Sequence, residues 1–375
     1  MNLIQASYSQ NIRARWTNLS RKPLTYTYTG DLNSHDRCKR AWAYEKHAHF
    51  SPPEQIQAVF GNLYHSVLEW LAKAHHLYTN GLRTEPDSEE FGKVLLKKLR
   101  MLRSQGIHSK VDNDESIKGM VLRKVYPTHT STTPTTILHP DFDLIIKSAE
   151  RTEVDLKAPV DLKTHLPTWD KNVFRDHERL HLRGIVDVVR SISKPIHFGK
   201  IWEWNSTHTD GKAVTRTVSG KVGDLELWDY KSTNYDPHQI LQYVNQMLTY
   251  AYIYEKTHNE RPVRCVLFFI GEVKPPGEKQ KPERFIVIEA DDNVVNGKSF
   301  QNTLSQVEQI QQTINTFEND PASLEGGDIH GNLDDDVATN QCIICMKRWD
   351  CTTYENYCIK KTGKPSTYLD LYAIR

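Results

Sequence analysis

Apolar and polar positions follow two different periods along this chain, and the period changes near residue 184. Upstream, the spacing is helical. Leu63, Val67, Leu68, Leu71 and Ala74 recur three or four residues apart and predict a helix over Phe60–Leu77. A helix start is predicted at Asp36–Tyr44, with Cys38 inside it, and another helix near Lys93–Arg103. Tyr126–Pro140, rich in Thr and Pro, reads as a loop. Downstream, short β-type runs predict strands at Gly184–Val189, His197–Trp204 and Leu225–Tyr230, the last two separated by the turn-rich stretch Ser206–Gly223. A strong helical pattern follows over His238–Lys256. Arg264–Ile270 and Phe285–Glu289 are strand-like and are joined by Gly271–Glu283, which holds Pro275, Pro276 and Pro282. Asp292–Phe317 predicts a long helix, and an acidic, Gly-rich stretch, Gly326–Asp336, leads to a cysteine-dense tail. No repeat unit recurs. Helices, then strands, a helix, more strands and a final helix predict an α/β core sheet with a mostly helical cap built from both chain ends.

Composition changes this picture little. The chain has 375 residues, 38% hydrophobic and 25% charged, with a formal net charge of +1. Bulk charge therefore does not mark a nucleic-acid binder, and any binding groove must be made locally. Lys93, Lys97, Lys98, Arg100 and Arg103 form one basic cluster, for which a solvated helix face and a DNA contact both stand as readings. No apolar run approaches the roughly 20 residues of a membrane helix. No compact apolar segment follows the first basic residues, so an intracellular location is expected, cytoplasmic or nuclear. The first 30 residues lack Asp and Glu and carry Arg13, Arg15, Arg21 and Lys22, which also suits a mitochondrial transit peptide.

Four short pieces occur in a meaningful order: Gly61-Asn62-Leu63-Tyr64-His65 opening a helix, Gly184-Ile185-Val186-Asp187 on a strand, Asp229-Tyr230-Lys231 ending a strand, and Gln246-Met247-Leu248-Thr249-Tyr250 on the next helix. Phosphodiester hydrolysis needs a hard divalent ion, and Mg²⁺ prefers oxygen ligands. Asp187 and Asp229 on neighbouring strands can hold it, with the Tyr230 carbonyl as a further ligand. Strand alternation puts Asp229 and Lys231 on one face and Tyr230 on the other. Lys231 then stands beside the metal, where it can position water or stabilise charge on phosphate. His65 would complete the metal shell and suits Mn²⁺ better than Mg²⁺. Gln246 and Tyr250, four apart, share a helical face from which they can reach the phosphate or orient Lys231. A D-x-K tripeptide alone says little. Asp155-Leu156-Lys157 and Asp161-Leu162-Lys163 are two more, and lie before the Asp187 strand with no Gln-x-x-x-Tyr helix behind them. Taken singly, His65 is an ordinary histidine, and Gln246 and Tyr250 are ordinary helix residues.

Six cysteines are present, and in a reducing compartment grouped cysteines more often bind metal than pair as disulfides. Cys342, Cys345 and Cys351 form a tight C-x2-C-x5-C, one ligand short of the four that a cubane cluster or a zinc ion takes. Cys38 is the natural fourth, with Cys358 as its rival. Cys265, in an apolar strand, reads as a small buried residue. A site closed by Cys38 would pin the two ends of the chain together, and a structural zinc site with the same ligands is the competing reading.

As an ordered set these residues resemble the iron–sulfur branch of the RecB-like PD-(D/E)XK nucleases: AddB nuclease domains, CRISPR-associated RecB-like nucleases and the exonuclease V family. The resemblance spans about Tyr26 to Cys358. It implies a restriction-endonuclease-like mixed central sheet flanked by helices, with a helical cap stapled by a 4Fe-4S cluster on Cys38, Cys342, Cys345 and Cys351. It also implies Mg²⁺ or Mn²⁺ dependence and cleavage of single-stranded DNA, often from an end, in repair, recombination or replication. Two departures stand out: Asp229 replaces the commoner Glu, and 41 residues separate Asp187 from Asp229, which predicts an inserted hairpin. The expected organisation is an extension over 1–25, a helical segment with the first cysteine and the His motif over 26–140, a nuclease core over 141–320 with its hairpin near 205–223, and a cluster segment over 321–375. No Walker A sequence is present, so a helicase or single-strand-binding protein would be a separate partner. The size suits exonuclease V better than the shorter CRISPR-associated adaptation nucleases. A non-catalytic DNA-binding module and a redox protein are the remaining alternatives; the former is opposed by a competent residue at every catalytic position, the latter by the lack of any flavin or nicotinamide fingerprint.

Overall fold

The computed structural model describes residues 24–48, 56–104, 113–130, 133–175, 177–192, 199–205, 210–216, 221–291, 297–320, 323–327, 332–333, 335, 338, 342 and 351–364. The N-terminal basic residues and Cys345 lie outside them. The chain forms two compact units, each assembled from separated segments: residues 54–156 and 185–300 in one, and residues 1–53, 157–184 and 301–375 in the other.

The unit over 54–156 and 185–300 is a mixed sheet flanked by helices. Its strands are β3 (Arg179–Ser191, from residue 185 on), β4 (Gly199–Trp204), β5 (Gly211–Arg216), β6 (Leu225–Lys231), β7 (Arg264–Phe269) and β8 (Phe285–Glu289). They lie in the order β3-β6-β7-β8-β4-β5. β6 and β7 are parallel, and helix α6 (Ile240–His258) connects them. Every residue of β7 is buried, as is each of β6 up to Lys231, which is how a strand covered on both faces reads. β4 and β5, which come between β3 and β6 in the chain, form an antiparallel hairpin that joins the sheet beside β8. Helices α2 (Ile56–Thr79), α3 (Ser88–Ser104), α4 (Asp114–Val125) and α5 (Pro140–Ile146) precede the sheet. Their apolar stripes join one core: Leu63, Val67 and Leu71 from α2, Phe91, Leu95 and Leu99 from α3, and Val121 and Val125 from α4, with Trp228, Phe268 and Phe285 from the sheet. The α4 start is explicit, since the Asn113 side chain accepts hydrogen bonds from the backbone of Glu115 and Ser116.

Register matters here, because slipping a strand by one residue turns every side chain to the other face. A buried charge triad fixes it. Arg190 of β3, Glu226 of β6 and Arg264 of β7 are ladder neighbours in succession. Arg190 Nε lies 2.6 Å from Glu226 Oε2, Arg264 bonds the other carboxylate oxygen, and the Trp228 indole donates to Glu226 Oε2 at 2.9 Å. Any other register would strand these charges apart in the core.

In the other unit, β1 (Leu24–Thr27) runs parallel to the first part of β3, with Tyr26 opposite Leu182. Helix α7 (Lys298–Asn319) contributes Leu304, Val307, Ile310, Ile314 and Phe317, all buried at helical spacing. Helix α1 (Lys39–Ala48) begins just after Cys38, and α8 (Thr352–Thr362) just after Cys351. Among the described residues no helix is long and apolar enough to cross a membrane.

Candidate metal centre

The ladder between β3 and β6 pairs Val188 with Trp228, which makes Asp187 and Asp229 the next residues in line. Both are 4% exposed. His65 reaches the same place from the third turn of α2. Its flanking residues Leu63, Tyr64, Val67 and Leu68 are buried and fix the helix face, leaving His65 at its margin. The His65 Nδ1 is 2.7 Å from Asp187 Oδ1, and the other Asp187 oxygen accepts the Tyr230 backbone N–H at 2.5 Å. Lys231 Nζ is 2.6 Å from Asp229 Oδ2 and donates to Gln246 Oε1 at 3.0 Å. Gln246 Nε2 in turn donates to the Tyr250 hydroxyl at 2.8 Å. Asp187, Asp229, Lys231, Gln246, Tyr250 and His65 therefore share one polar cluster, and Tyr230 borders it through its backbone and through a ring 5.9 Å from that of His65.

One member was not picked out from the sequence. Glu153, on β2 (Arg151–Asp161), brings Oε1 to 3.9 Å from His65 Nδ1, and ligand atoms of His65, Glu153 and Asp187 all lie within 4.8 Å of one another. Glu153 also has φ +50°, a left-handed conformation inside a strand. For a residue other than glycine this costs about 1–3 kcal/mol, a strain met most often at functional sites. The alternation of buried Leu156, Ala158 and Val160 announces β2 in the sequence, but the two D-x-K tripeptides on it drew attention instead. The structure gives those tripeptides other places. Asp155 and Lys157 are exposed, and Asp161 caps the short helix Leu162–His165 by accepting from the Thr164 backbone.

The electrostatics are those of anionic groups pressed together. Burial alone would lower the His65 imidazole, but Asp187 outweighs it, with Asp229 and Glu153 adding, and raises its pKa to about 9. Burial, then Asp187, push the Glu153 carboxyl up to about 7 against the pull of His65. Burial also raises Asp229, more than the neighbouring Lys231 lowers it. Asp229 Oδ2, though in contact with the lysine, accepts no well-aligned hydrogen bond. Carboxylates crowded and buried in this way gain most from a multivalent cation between them. Three carboxylates and one imidazole are a donor set suited to Mg²⁺ or Mn²⁺.

The cysteines lie in the other unit. Cys38, Cys342, Cys351 and Cys358 are buried in a shared small cluster with Ala338 and Tyr354. A Cβ on Gly326 would stand 2.6 Å from Cys351 Sγ and 3.9 Å from Cys38 Sγ, so only glycine fits between them. The Gly327 backbone N–H donates to Cys38 Sγ at 3.3 Å. Among the described residues no three cysteine sulfurs approach within 4.8 Å of one another. Cys265 is elsewhere, on β7, where burial raises its thiol and its Sγ–H faces the Met247 carbonyl at 3.5 Å. Of the five basic residues on α3, Lys93 pairs with Glu89 at 2.6 Å and Arg103 with Asp114 at 2.8 Å.

No curated protein matches the sequence. A family model described as the PD-(D/E)XK nuclease superfamily matches residues 30–208 and 216–352. That match takes in the strand ends carrying Asp187, Asp229 and Lys231 and most of the sequence besides, and the chain belongs to the PD-(D/E)XK nuclease superfamily.

Proposed function

We propose that this protein is a metal-dependent deoxyribonuclease that degrades single-stranded DNA from an end, in DNA repair, recombination or replication. Members of the superfamily typically use Mg²⁺ or Mn²⁺. The observation that carries the reading is the convergence of two buried acids and an amine at adjacent strand ends, with His65 and Glu153 closing the set. Asp187, Asp229, Glu153 and His65 would hold the ion, with the Tyr230 carbonyl in reserve. When bound, the ion acidifies a coordinated water and neutralises charge on the scissile phosphate. Lys231, fixed by Asp229 and Gln246, presents its ammonium toward the anion that forms at phosphorus. Gln246 steadies that amine, and Tyr250 steadies Gln246. Burial of the acids excludes bulk water and strengthens each of these interactions.

The second part of the proposal is a 4Fe-4S cluster on Cys38, Cys342, Cys345 and Cys351, with Cys358 as the alternative to Cys38. The glycine at 326 leaves room that a side chain would fill, and an amide donor at a sulfur favours bound thiolate.

The test is direct. Purified protein should be brown, contain iron, and degrade single-stranded DNA in Mg²⁺ or Mn²⁺. Asp187→Ala and Lys231→Ala should each abolish cleavage. Undiminished cleavage by both variants ends the nuclease assignment at this site, and a colourless, zinc-containing preparation ends the iron–sulfur one.

A further inference from the structure

A lysine side chain carries a compact charge on a flexible four-carbon stem, so its position is loose unless it is held from several sides. Lys231 is held from three. Asp229 and Gln246 are two, and both are polar. The third is the ring of Tyr243, whose centroid lies 4.3 Å from Nζ, well inside the roughly 6 Å range of a cation–π contact.

Tyr243 stands three residues before Gln246 on α6, so the two project from the same face toward the same amine. Its ring is itself fixed. The hydroxyl donates to Gln239 Oε1 at 3.2 Å, one turn back. The ring leans on Phe269 with centroids 6.1 Å apart at 57°. Phe269 is the residue of β7 that pairs with Lys231 in the parallel ladder. The lysine, its ladder partner and the tyrosine between them thus form one packed set at the end of the sheet.

We propose that Tyr243 is a positioning residue for Lys231, holding the ammonium by its π face in the orientation that meets the scissile phosphate. This rests on the nuclease reading above and deepens it. The choice of an aromatic ring has a physical reason. A further carboxylate near Lys231 would compete for the divalent ion and add charge to a site where three acids already repel one another. An apolar aliphatic side chain would leave the ammonium unsatisfied on that side. A ring attracts the cation without binding metal or accepting a conventional hydrogen bond, so the amine is steadied and the N–H not given to Asp229 or Gln246 stays available to an anionic oxygen.

The full-length protein carries the test, with Tyr243→Leu and Tyr243→Phe beside the wild type. Single-turnover cleavage of a single-stranded oligonucleotide in Mn²⁺ should slow roughly 3- to 30-fold in Tyr243→Leu and stay within about threefold of wild type in Tyr243→Phe. Binding of the same oligonucleotide, measured in Ca²⁺, should be unchanged in both. A second readout needs neither metal nor substrate. With ¹³C-labelled lysine, the Lys231 ε-methylene protons, assigned through Lys231→Met, should resonate upfield in the metal-free wild type and in Tyr243→Phe. They should return to the ordinary position in Tyr243→Leu. An unshifted Lys231 signal in the wild type overturns the proposal, whether or not any variant folds. So does a wild-type rate in Tyr243→Leu, or a loss that falls on DNA binding alone, which would make the ring a base-stacking surface instead. Failure of the parent reading looks different: the wild type would show no metal-dependent cleavage, while the ring-current measurement would still decide the contact.

Discussion

The carboxylate site and the cysteine cluster both gather residues far apart in the chain, but they stand in opposite relations to the structure around them. The carboxylate site sits on regular elements. Asp187 and Asp229 end paired strands whose register is set by a buried triad of Arg190, Glu226 and Arg264, and His65 rides on a helix with a broad apolar face. Its groups repel one another, so the scaffold supports the site. Among the described residues the cysteine cluster has little regular scaffold: Cys38 stands between two short helices, Cys351 precedes α8, and few of the apolar residues described pack around them. There the metal group would support the structure. The proposed catalytic site and the proposed structural metal are thus carried by separate parts of the chain.

The sharpest way to break this contrast is to damage each site and read both outcomes. Asp187→Asn should lower metal-dependent cleavage on the order of 10³-fold and leave the melting temperature within about 2 °C, because it removes charge from a crowded site and keeps its shape. Cys351→Ser should lose iron and lower the melting temperature by on the order of 10 °C. If Asp187→Asn melts as early as Cys351→Ser, the site is not carried by an independent scaffold.

Glu153 permits a finer version, with effects of opposite sign in one residue. Glu153→Gln should weaken Mn²⁺ binding about 10- to 100-fold, as read by metal titration. Glu153→Gly should weaken it comparably while raising the melting temperature, since glycine adopts φ +50° without the strain that glutamate bears. A fall in melting temperature for the glycine variant would mean that the conformation is not strained.

The two sites were not equally legible in the sequence. Asp187, Asp229, Lys231, Gln246 and Tyr250 could be singled out because regular elements translate spacing into geometry: two apart on a strand, or four apart on a helix, means the same face. The strands around them were legible for the same reason. Glu153 was not, because its approach to His65 depends on a left-handed backbone that no pattern of residue types reports. Tyr243 looked like one more aromatic on a helix, and only the tertiary contact with Lys231 distinguishes it. Helix α4 was missed although Asn113-Asp114-Glu115 is a serviceable start signal, and α8 was missed because the cysteines around it drew a metal-site reading.

Gly326 tests the cysteine side of the contrast at the scale of one methyl group. Gly326→Ala would place a Cβ 2.6 Å from Cys351 Sγ, so the loop or the sulfur must move. Iron content should drop, and the melting temperature should fall by roughly 5 °C, less than in Cys351→Ser because the thiolate remains. Cleavage per iron-loaded molecule should not change. Full iron occupancy in the alanine variant would show that the cluster does not depend on the space between Cys38 and Cys351.

The smallest expected effect is the most specific to the carboxylate site, and it concerns pH. In the metal-free protein His65 holds its proton up to about 9 against an ordinary 6.5, and Glu153 up to about 7 against 4.5. At these two groups the folded chain therefore binds more protons than the unfolded chain, and their contribution to stability declines as pH rises. The His65 contribution is complete below pH 6.5 and gone above about 9; the Glu153 contribution is lost between about 4.5 and 7. A divalent ion takes the place of those protons, so its stabilising effect must grow over the same window. Melting temperatures in EDTA should fall by roughly 2–4 °C between pH 5.5 and 9, while those in saturating Mn²⁺ hold level or rise. Glu153→Gln should flatten the lower half of the EDTA curve, whereas Cys351→Ser should lower both curves together and leave the gap between them unchanged. A gap that does not widen with pH would mean that protons and metal do not compete for His65 and Glu153.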